Sequence, residues 1–260
     1  MGNAISFLKI AIANLSRDIT LENAKEIICE QIDAYVQERI NFADKVITKH
    51  ANSKIVNKDV ILVYGRSEVI QKILLKAKSS NKNFRVIVTD SRPLLEGRKL
   101  LKLLVKHQIP CTYILLNSLS YVMMREVTKV FMGVAALMSD GSVLSRVGTG
   151  TVAMIAKSNN IPVLFCCETY KISNRVQLES FTGNELGDPH NLASVGHSKQ
   201  STNKWLDQWE QQSGLKLLNL IYDLTPSEYV SGVITEMGIL PPTSVAVLLR
   251  EMNLSNNIQV

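Results

Sequence analysis

Short, dense runs of apolar residues recur through the chain and predict β-strands. They occur at residues 59–65, 84–90, 111–116, 129–137, 162–168 and 218–225. Stretches with apolar positions at helical spacing connect the first five runs, at residues 67–79, 97–107, 118–127 and 149–158. Apolar strands without alternation are typical of parallel sheets that are covered on both faces. The pattern therefore predicts the α/β class, with a Rossmann-like, doubly wound parallel sheet.

The first 55 residues show helical periodicity without a strand pattern. Ile5, Leu8 and Ile12 recur at helical spacing, and a second helix is predicted to follow Thr20 as its N-cap. These residues predict a helical N-terminal subdomain over 1–55 that packs on a Rossmann-like domain over 56–260. The opening MGNAIS also fits a myristoylation pattern. The alternative is that the segment carries no lipid, and that Met1 only begins a helical segment or lies within one.

The C-terminal region is predicted to form two helices, over residues 226–238 and 243–252. Each follows a proline-containing start, TPSE or PPTS. The two helices carry more apolar positions than one core-facing stripe of a helix needs, so these positions are a candidate subunit interface. The alternative is that all of them are buried inside the chain. These positions are Val230, Val233, Ile234, Met237, Val245, Val247, Leu248 and Leu249. A polar stretch over residues 182–203 is a candidate interaction loop.

Composition narrows the classes of protein that this chain can represent. The net charge of +6 favours an anionic partner, but the basic residues are scattered and aromatic residues make up only 6%. We therefore expect no dedicated nucleic-acid site, and an acidic or phosphorylated protein is the better candidate partner. No apolar run approaches the roughly 18 residues of a membrane span, and no signal peptide is visible, so the expected location is the cytosol.

The cysteines and histidines give no indication of a metal site. None of the four cysteines shows CxxC spacing, and we expect buried free thiols rather than a disulfide or metal ligands. The histidines lack the spacing of zinc ligands. No metal and no cofactor are therefore expected.

The loops after the predicted strands hold the candidate chemistry. Gly65, Arg66 and Ser67 follow the first strand and open a helix, where backbone N–H groups and a guanidinium can hold a phosphate. The alternative is an ordinary turn with Ser67 as N-cap. The second strand ends near Asp90 and Arg92, which are also crevice candidates. The GTGTVA stretch, residues 148–153, satisfies a loose dinucleotide-binding pattern, which leaves a second alternative open.

Several ordered blocks together resemble one protein family. They read DVILVYGRS, RVIVTDSRPLLEGRKL, GSVLSRVGT, PVLFCCETYK, NELGDP and DLTPSEYVSGVITEMGILPPTSVAVLLR. The chain resembles, over about residues 1–250, the alpha/beta/delta regulatory subunits of eukaryotic translation initiation factor 2B, and CETYK with NELGDP indicates the delta type. The resemblance implies an N-terminal helical domain and a Rossmann-like domain shared with sugar-phosphate isomerases. Delta subunits carry a longer, charged N-terminal region, so a fragment is expected.

The resemblance also implies where the isomerase chemistry has been lost. The catalytic cysteine of those isomerases falls on Gly65, and their catalytic aspartate falls on Ala135. Their substrate-contacting Asn-Lys pair falls on Ser145 and Arg146. Glycine and alanine cannot exchange protons with a sugar, so isomerase activity is not expected. A residual anion pocket remains a candidate; its members are Gly65, Arg66, Ser67, Arg92, Ser145, Arg146, Gly148 and Thr149.

The resemblance implies a regulatory function rather than a catalytic one. It implies a noncatalytic subunit of the guanine nucleotide exchange factor for initiation factor 2. Its partners would be the other subunits, especially beta, and initiation factor 2 phosphorylated on its alpha subunit. Self-association as a homodimer is expected when the partner is missing. The alternative is a protein that isomerises or binds a sugar phosphate or nucleotide.

Overall fold

The computed structural model describes residues 2–16, 19–193 and 205–258. Met1, where the lipidation pattern begins, and residues 194–203 of the candidate interaction loop lie outside the described residues. The helices are α1 (Gly2–Ala13), α2 (Leu21–Tyr35), α3 (Phe42–Ser53), α4 (Glu68–Ser79), α5 (Gly97–Lys106), α6 (Leu119–Arg125), α7 (Thr149–Ser158), α8 (His190–Ala193) and α9 (Val245–Ile258). Among these described residues, no helix is both long and apolar enough to cross a membrane.

The strands form two sheets, and the larger one is the predicted parallel sheet. The strands are β1 (Val60–Tyr64), β2 (Arg85–Asp90), β3 (Cys111–Leu115), β4 (Lys129–Gly133), β5 (Ala136–Met138), β6 (Val143–Arg146), β7 (Val163–Cys166), β8 (Ile172–Ser173), β9 (Tyr222–Thr225), β10 (Gly232–Thr235) and β11 (Gly238–Leu240). The seven-stranded sheet has the order β11-β10-β7-β4-β1-β2-β3, and only β11 runs antiparallel to its neighbour. The predicted α/β fold is confirmed.

Two hydrophobic clusters cover the two faces of the large sheet, which explains why its strands are apolar throughout. Ile61 and Val63 of β1 point to the cluster formed with α3, α4 and α5. Leu62, between them, points to the cluster formed with α6, α7 and α9. All three side chains are buried, and burying a side chain of this kind stabilises the fold by about 1.5–3 kcal/mol.

The smaller sheet was not predicted, and it corrects two of the strand predictions. The apolar run over 129–137 breaks after Gly133, because β5 leaves the large sheet and pairs antiparallel with β6. The run over 218–225 does not join the large sheet either, since β9 pairs antiparallel with β6. The Asp140 carboxylate accepts from the Ser142 N–H at 3.0 Å in the turn between β5 and β6. This turn forms a hairpin that projects from the carboxyl end of the large sheet.

The predicted helix over 226–238 is wrong. Ser227–Tyr229 forms a single 3₁₀ turn, and β10 and β11 follow as a hairpin at the edge of the large sheet. Val233 and Ile234 are consecutive β-branched residues, and each is buried on a different face of the sheet. The second predicted helix exists as α9.

The burial of this region also changes the predicted interface. Six of the eight proposed positions are buried inside the chain, at no more than 9% exposure; they are Val230, Val233, Ile234, Val245, Leu248 and Leu249. The intramolecular alternative accounts for them, because the two hydrophobic clusters contain all six. Met237, in the turn between β10 and β11, and Val247, on α9, are exposed. An interface role for these two residues stays a prediction.

The N-terminal helices continue into the core of the larger domain. Thr20 caps α2 as predicted, since its Oγ1 accepts from the Asn23 N–H at 3.4 Å. A π-helical segment, Val36–Asn41, joins α2 to α3. Ala43, Ile47 and Ala51 of α3 are buried in the same cluster as β1 and α4. The division of the chain at residue 55 stays a prediction.

Candidate functional site

The two halves of the large sheet diverge between β1 and β4, where a doubly wound sheet usually binds its ligands. From β1 the chain proceeds to β2 and β3 on one side, and from β4 it proceeds to β7 and β10 on the other. Gly65 follows β1 and Gly133 ends β4, so both lie at the carboxyl edge of the sheet. Four of the predicted anion-binding residues lie in the loops at this edge, and the other four are at the end of β6 or the start of α7; they are Gly65, Arg66, Ser67 and Arg92, and Ser145, Arg146, Gly148 and Thr149.

Gly65 and Ala135 are the two residues on which the resemblance places the isomerase catalytic positions. Gly65 has a φ of +60°, a left-handed conformation that favours glycine, and its N–H donates to the Thr89 carbonyl at 2.9 Å. The Ala135 N–H donates to the Leu144 carbonyl at 3.0 Å and is part of the β5–β6 hairpin. Neither side chain can accept or release a proton, so these two positions cannot act as acid or base.

Two serines of the predicted pocket pack into the mouth of the sheet instead of facing an open cleft. Ser67 lies so close to Gly133 that a Cβ on that glycine would stand 2.3 Å from the Ser67 Oγ. The buried Ser145 donates from its Oγ to the Gly133 carbonyl at 3.0 Å. Both side chains therefore fill space between β4 and its neighbours.

The N-terminus of α7 is occupied by a carboxylate of the chain itself. Asp223, on β9, accepts through one oxygen from the N–H groups of Gly148, at 2.7 Å, and Gly150, at 3.0 Å. A helix N-terminus attracts anions because its first N–H groups have no partners inside the helix. Burial raises the pKa of Asp223 to about 6, although the two N–H donors act in the opposite direction. The GTGTVA turn therefore binds an internal anion, and it follows a strand of the small sheet, unlike a dinucleotide-binding turn.

At the same carboxyl edge of the sheet, Arg146 forms an ion pair with Glu96. Its Nε and Nη2 donate to the two carboxylate oxygens of Glu96 at 3.1 and 3.0 Å. The guanidinium carbon also lies 5.4 Å from the centre of the Tyr222 ring. Thr149 donates its hydroxyl to the Arg146 carbonyl at 2.6 Å. Because the pairing with Glu96 is bidentate, an external anion would have to displace that carboxylate to reach Arg146.

Tyr64 closes the space between the end of β1 and the start of α7. Its hydroxyl donates to the Val147 carbonyl at 2.5 Å and lies 2.7 Å from the Ser91 Oγ. Burial raises the pKa of Tyr64 to about 12. Gly148 lies directly against this hydroxyl, with a φ of +103°. The close approach explains why residue 148 is a glycine.

The space that remains at this edge is small. A cleft of about 30 Å³ is bordered by Gly65, Arg92 and Arg146, among others. Sites for small-molecule ligands usually have about 300–1,000 Å³. Arg66 and Arg92 are exposed, and of the predicted pocket members Gly65, Arg92 and Arg146 line this cleft. In this conformation the cleft has room for a water molecule but not for a sugar phosphate.

The CETYK segment forms a second polar cluster, at the carboxyl ends of β7 and β10. Glu168 is buried, and one of its carboxylate oxygens lies 2.7 Å from the Lys171 Nζ. Glu236 accepts from the Thr169 N–H at 3.1 Å. The two strands are parallel neighbours, so the cluster ties their following turns together.

Sequence reasoning missed three residues that close the site: Tyr64, Glu96 and Asp223. Each is polar or charged within or beside an apolar run, which is the signal that could have indicated a buried role. Only the fold brings them together, because β9 reaches this edge through the small sheet. No cluster of three or more histidine, cysteine, aspartate or glutamate side chains suited to a metal ion occurs in the described part of the chain.

Thiol reactivity should follow the burial of the cysteines. Cys166 and Cys167 are buried as predicted, Cys111 is intermediate, and Cys29 is exposed, contrary to the expectation of four buried thiols. Burial raises the pKa of both Cys166 and Cys167, so few thiolates form there. With Ellman's reagent we expect Cys29 to react first, and Cys166 and Cys167 only after unfolding in guanidinium chloride. A Cys29→Ser variant should lose the fast phase; rapid labelling of the adjacent pair in native protein would contradict this burial.

The fold and its carboxyl edge define a Rossmann-like α/β protein whose ligand crevice is filled by its own side chains. Residues 1–242 match the family described as the initiation factor 2 subunit family, and the chain belongs to this family. The chain is 47% identical over 251 residues to translation initiation factor eIF2B subunit delta of Dictyostelium discoideum; the alignment covers 96% of this chain and 40% of that protein. The resemblance to delta-type subunits is confirmed.

A second relative, the delta subunit of Schizosaccharomyces pombe, is 44% identical over 252 residues, which are 96% of this chain and 54% of that protein. The chain therefore spans about half the length of these curated relatives. Ribose 1,5-bisphosphate isomerase of Pyrococcus furiosus is more distant, at 29% identity over 198 residues, 76% of this chain and 58% of that protein.

One solved structure similar to this chain comes from an assembly. The crystal structure of the tetrameric eIF2B-beta2-delta2 complex from C. thermophilum contains a chain that is 32% identical, with a TM-score of 0.76. The alignment covers 91% of this chain and 69% of that chain. Fold and sequence similarity therefore agree on the same family.

Proposed function

We propose that this chain is the delta-type regulatory part of the guanine nucleotide exchange factor for translation initiation factor 2. It acts without catalytic chemistry of its own, through assembly with the other subunits, especially beta. The observation that supports this most is the similarity to a chain of a beta2-delta2 complex. The self-filled crevice supports it too, because side chains that would contact a substrate are engaged within the protein.

An exposed apolar surface is available for the assembly partner. It is formed by the segment after β8 and by the residues preceding β9, and its members are Val176, Leu178, Phe181, Leu186 and Leu218. Leu178 is 92% exposed and Phe181 is 64% exposed. Asn184 binds this segment to the smaller sheet, since its Nδ2 donates to the Tyr222 carbonyl at 2.7 Å. Four of the five side chains lie on this one anchored segment, and exposed apolar side chains grouped in this way are typical of a protein interface.

Charged substitutions on this surface should prevent assembly. We expect Leu178→Glu/Phe181→Glu to abolish, or to weaken at least tenfold, complex formation with a co-expressed beta-type subunit, because a buried unpaired carboxylate is costly. Size-exclusion chromatography with light scattering measures the complex. Val105→Glu alters a comparably exposed apolar residue on α5 and should leave assembly intact. Full assembly by the double variant would contradict this interface, and a strictly monomeric wild type even when co-expressed would contradict the proposed function.

The competing function is a sugar-phosphate isomerase or a binder of sugar phosphates or nucleotides. The residues at positions 65 and 135 give no group for proton transfer, and the cleft of about 30 Å³ gives no room for such a ligand. We expect no turnover of ribose 1,5-bisphosphate and no thermal stabilisation by it or by NAD. Turnover that is abolished by Arg146→Ala would replace our proposal with the isomerase function.

We also propose that the N-terminal helices, as part of an assembled complex, contribute to the surface that senses the phosphorylated alpha subunit of initiation factor 2. Reconstituted complexes that contain this chain should bind the phosphorylated alpha subunit more tightly than the unphosphorylated one in a pull-down. Equal binding of the two forms would contradict this role without affecting the assembly with beta. When beta is absent, self-association of the chain as a homodimer is expected.

A further inference from the structure

A groove with a volume of about 940 Å³ lies between α3 and α4. Its lining shares no residue with the cleft at the carboxyl edge of the sheet. Five lysines line the groove: Lys45, Lys49, Lys72, Lys76 and Lys78. Asp44 is the one carboxylate among the lining residues. The lining is therefore strongly basic.

Most of this positive charge is not neutralised within the chain. Lys72 pairs with Asp44 and lies 3.1 Å from a Glu68 oxygen. Lys78 donates to the Gln108 carbonyl at 3.1 Å. No ion pair within the described residues involves Lys45, Lys49 or Lys76, and all three are exposed. Lysines with unpaired charge on both walls of one groove favour an anionic occupant.

The shape and donors of the groove favour a polypeptide over a small phosphate ligand. The two walls are helices of 12 residues each, which corresponds to about 18 Å of length. The half-buried Leu75 also lines the groove, and lysine stems add further apolar surface. The lining contains no arginine, and it is not the start of a helix that would offer free N–H groups. An open groove with lysines on both walls and an apolar contact at Leu75 matches a helix that has one apolar face and acidic flanks.

We propose that the α3–α4 groove is a docking site for an acidic amphipathic segment of a partner protein. The apolar face of the segment packs on Leu75, and its carboxylates pair with Lys45, Lys49 and Lys76. Affinity is expected to be salt-dependent, because the lysines are exposed. The occupant is about three helical turns long, which is the length of the walls.

Fluorescence anisotropy on the intact chain tests this proposal. The probe is a labelled peptide of about 14 residues, with leucines at i, i+3, i+4 and i+7 and glutamates elsewhere. We expect it to bind and to weaken at least tenfold with Lys49→Glu/Lys76→Glu, which reverses one lysine on each wall. The matched control, Lys99→Glu/Lys102→Glu, changes the net charge equally on α5 and should alter the dissociation constant by no more than about twofold.

Three outcomes would overturn the proposal. The first is no saturable binding of the glutamate peptide at low salt. The second is equal weakening by the two charge-reversal pairs, which would show attraction by net charge alone. The third is displacement of the peptide by a single-stranded RNA oligomer that binds more tightly and loses affinity with the same groove variants. Circular dichroism and thermal unfolding confirm that each variant is folded, and a peptide with glutamine in place of glutamate should bind at least tenfold more weakly.

Discussion

Replacement of Gly148 by alanine is expected to destabilise the fold by about 3–5 kcal/mol, the largest single effect that we predict at the carboxyl edge. The added Cβ would lie 2.2 Å from the Tyr64 hydroxyl oxygen and 2.7 Å from the ring carbon that bears it. The φ of +103° is also unfavourable for any residue with a Cβ. Tyr64 would have to move and give up its bond to the Val147 carbonyl. Urea denaturation monitored by circular dichroism measures the loss.

Gly183 offers a control that separates the backbone contribution from the steric one. It has a φ of +72°, and nothing lies within 4 Å of the position that a Cβ would take. Gly183→Ala should therefore cost only about 1–2 kcal/mol, which is the effect of a left-handed conformation alone. If Gly148→Ala is no more destabilising than Gly183→Ala, the close contact with Tyr64 does not constrain this position.

Replacement of Asp223 by asparagine is expected to remove a component of the pH dependence of stability. The pKa of Asp223 is raised from the ordinary 3.8 to about 6 in the folded state. Between these values the folded protein binds more protons than the unfolded one, so the free energy of unfolding falls as the pH rises. Above pH 6 the full penalty of the buried charge is about 3 kcal/mol, of which about 2 kcal/mol develops between about pH 4.5 and 7.5.

The variant is informative through its pH dependence rather than through its stability at one pH. Asp223→Asn keeps an oxygen that accepts from Gly148 and Gly150, but its amide nitrogen replaces an oxygen that has no hydrogen-bond partner within the described residues. Urea denaturation at about pH 4.5 and 7.5 should show a difference that is about 2 kcal/mol smaller than in the wild type. A carboxyl carbon signal titrating near pH 6 should vanish from the NMR spectrum. The same pH dependence in both proteins would contradict the raised pKa.

Much of the fold was predictable because the apolar runs that specify its buried strands can be read directly from short stretches of sequence. The runs around Leu62, Ile87 and Val163 are apolar on both faces, and such runs are stable only between two layers of helices. The four helices that alternate with them follow from apolar spacing. The helix prediction over 226–238 failed because β-branched residues at helical spacing fit a buried strand as well. Adjacency to β7 decided between the two, and that contact is remote in sequence.

The candidate site was predictable only in part. Gly65 and Arg92 border one cleft because the parallel strands β1 and β2 end at the same edge, whereas Arg146 reaches this cleft from β6 of the small sheet. The groups that neutralise the site come from distant segments. Glu96 lies 50 positions before Arg146, and Asp223 lies 75 positions after Gly148. The local sequence around Arg146 and Gly148 therefore indicates an anion site, whereas the structure shows that carboxylates of the chain already occupy it.

The sequence by itself determined the class of this protein: a parallel α/β sheet, residues without a proton-transfer group at positions 65 and 135, and membership of a translation initiation factor family. These properties depend on residue identity and short-range periodicity. Only the tertiary structure decided that the crevice is closed, that most of the C-terminal apolar residues belong to the core, and that lysines from two helices share one groove. Each of these depends on contacts between segments far apart in the chain, and such contacts are set by packing of the whole fold.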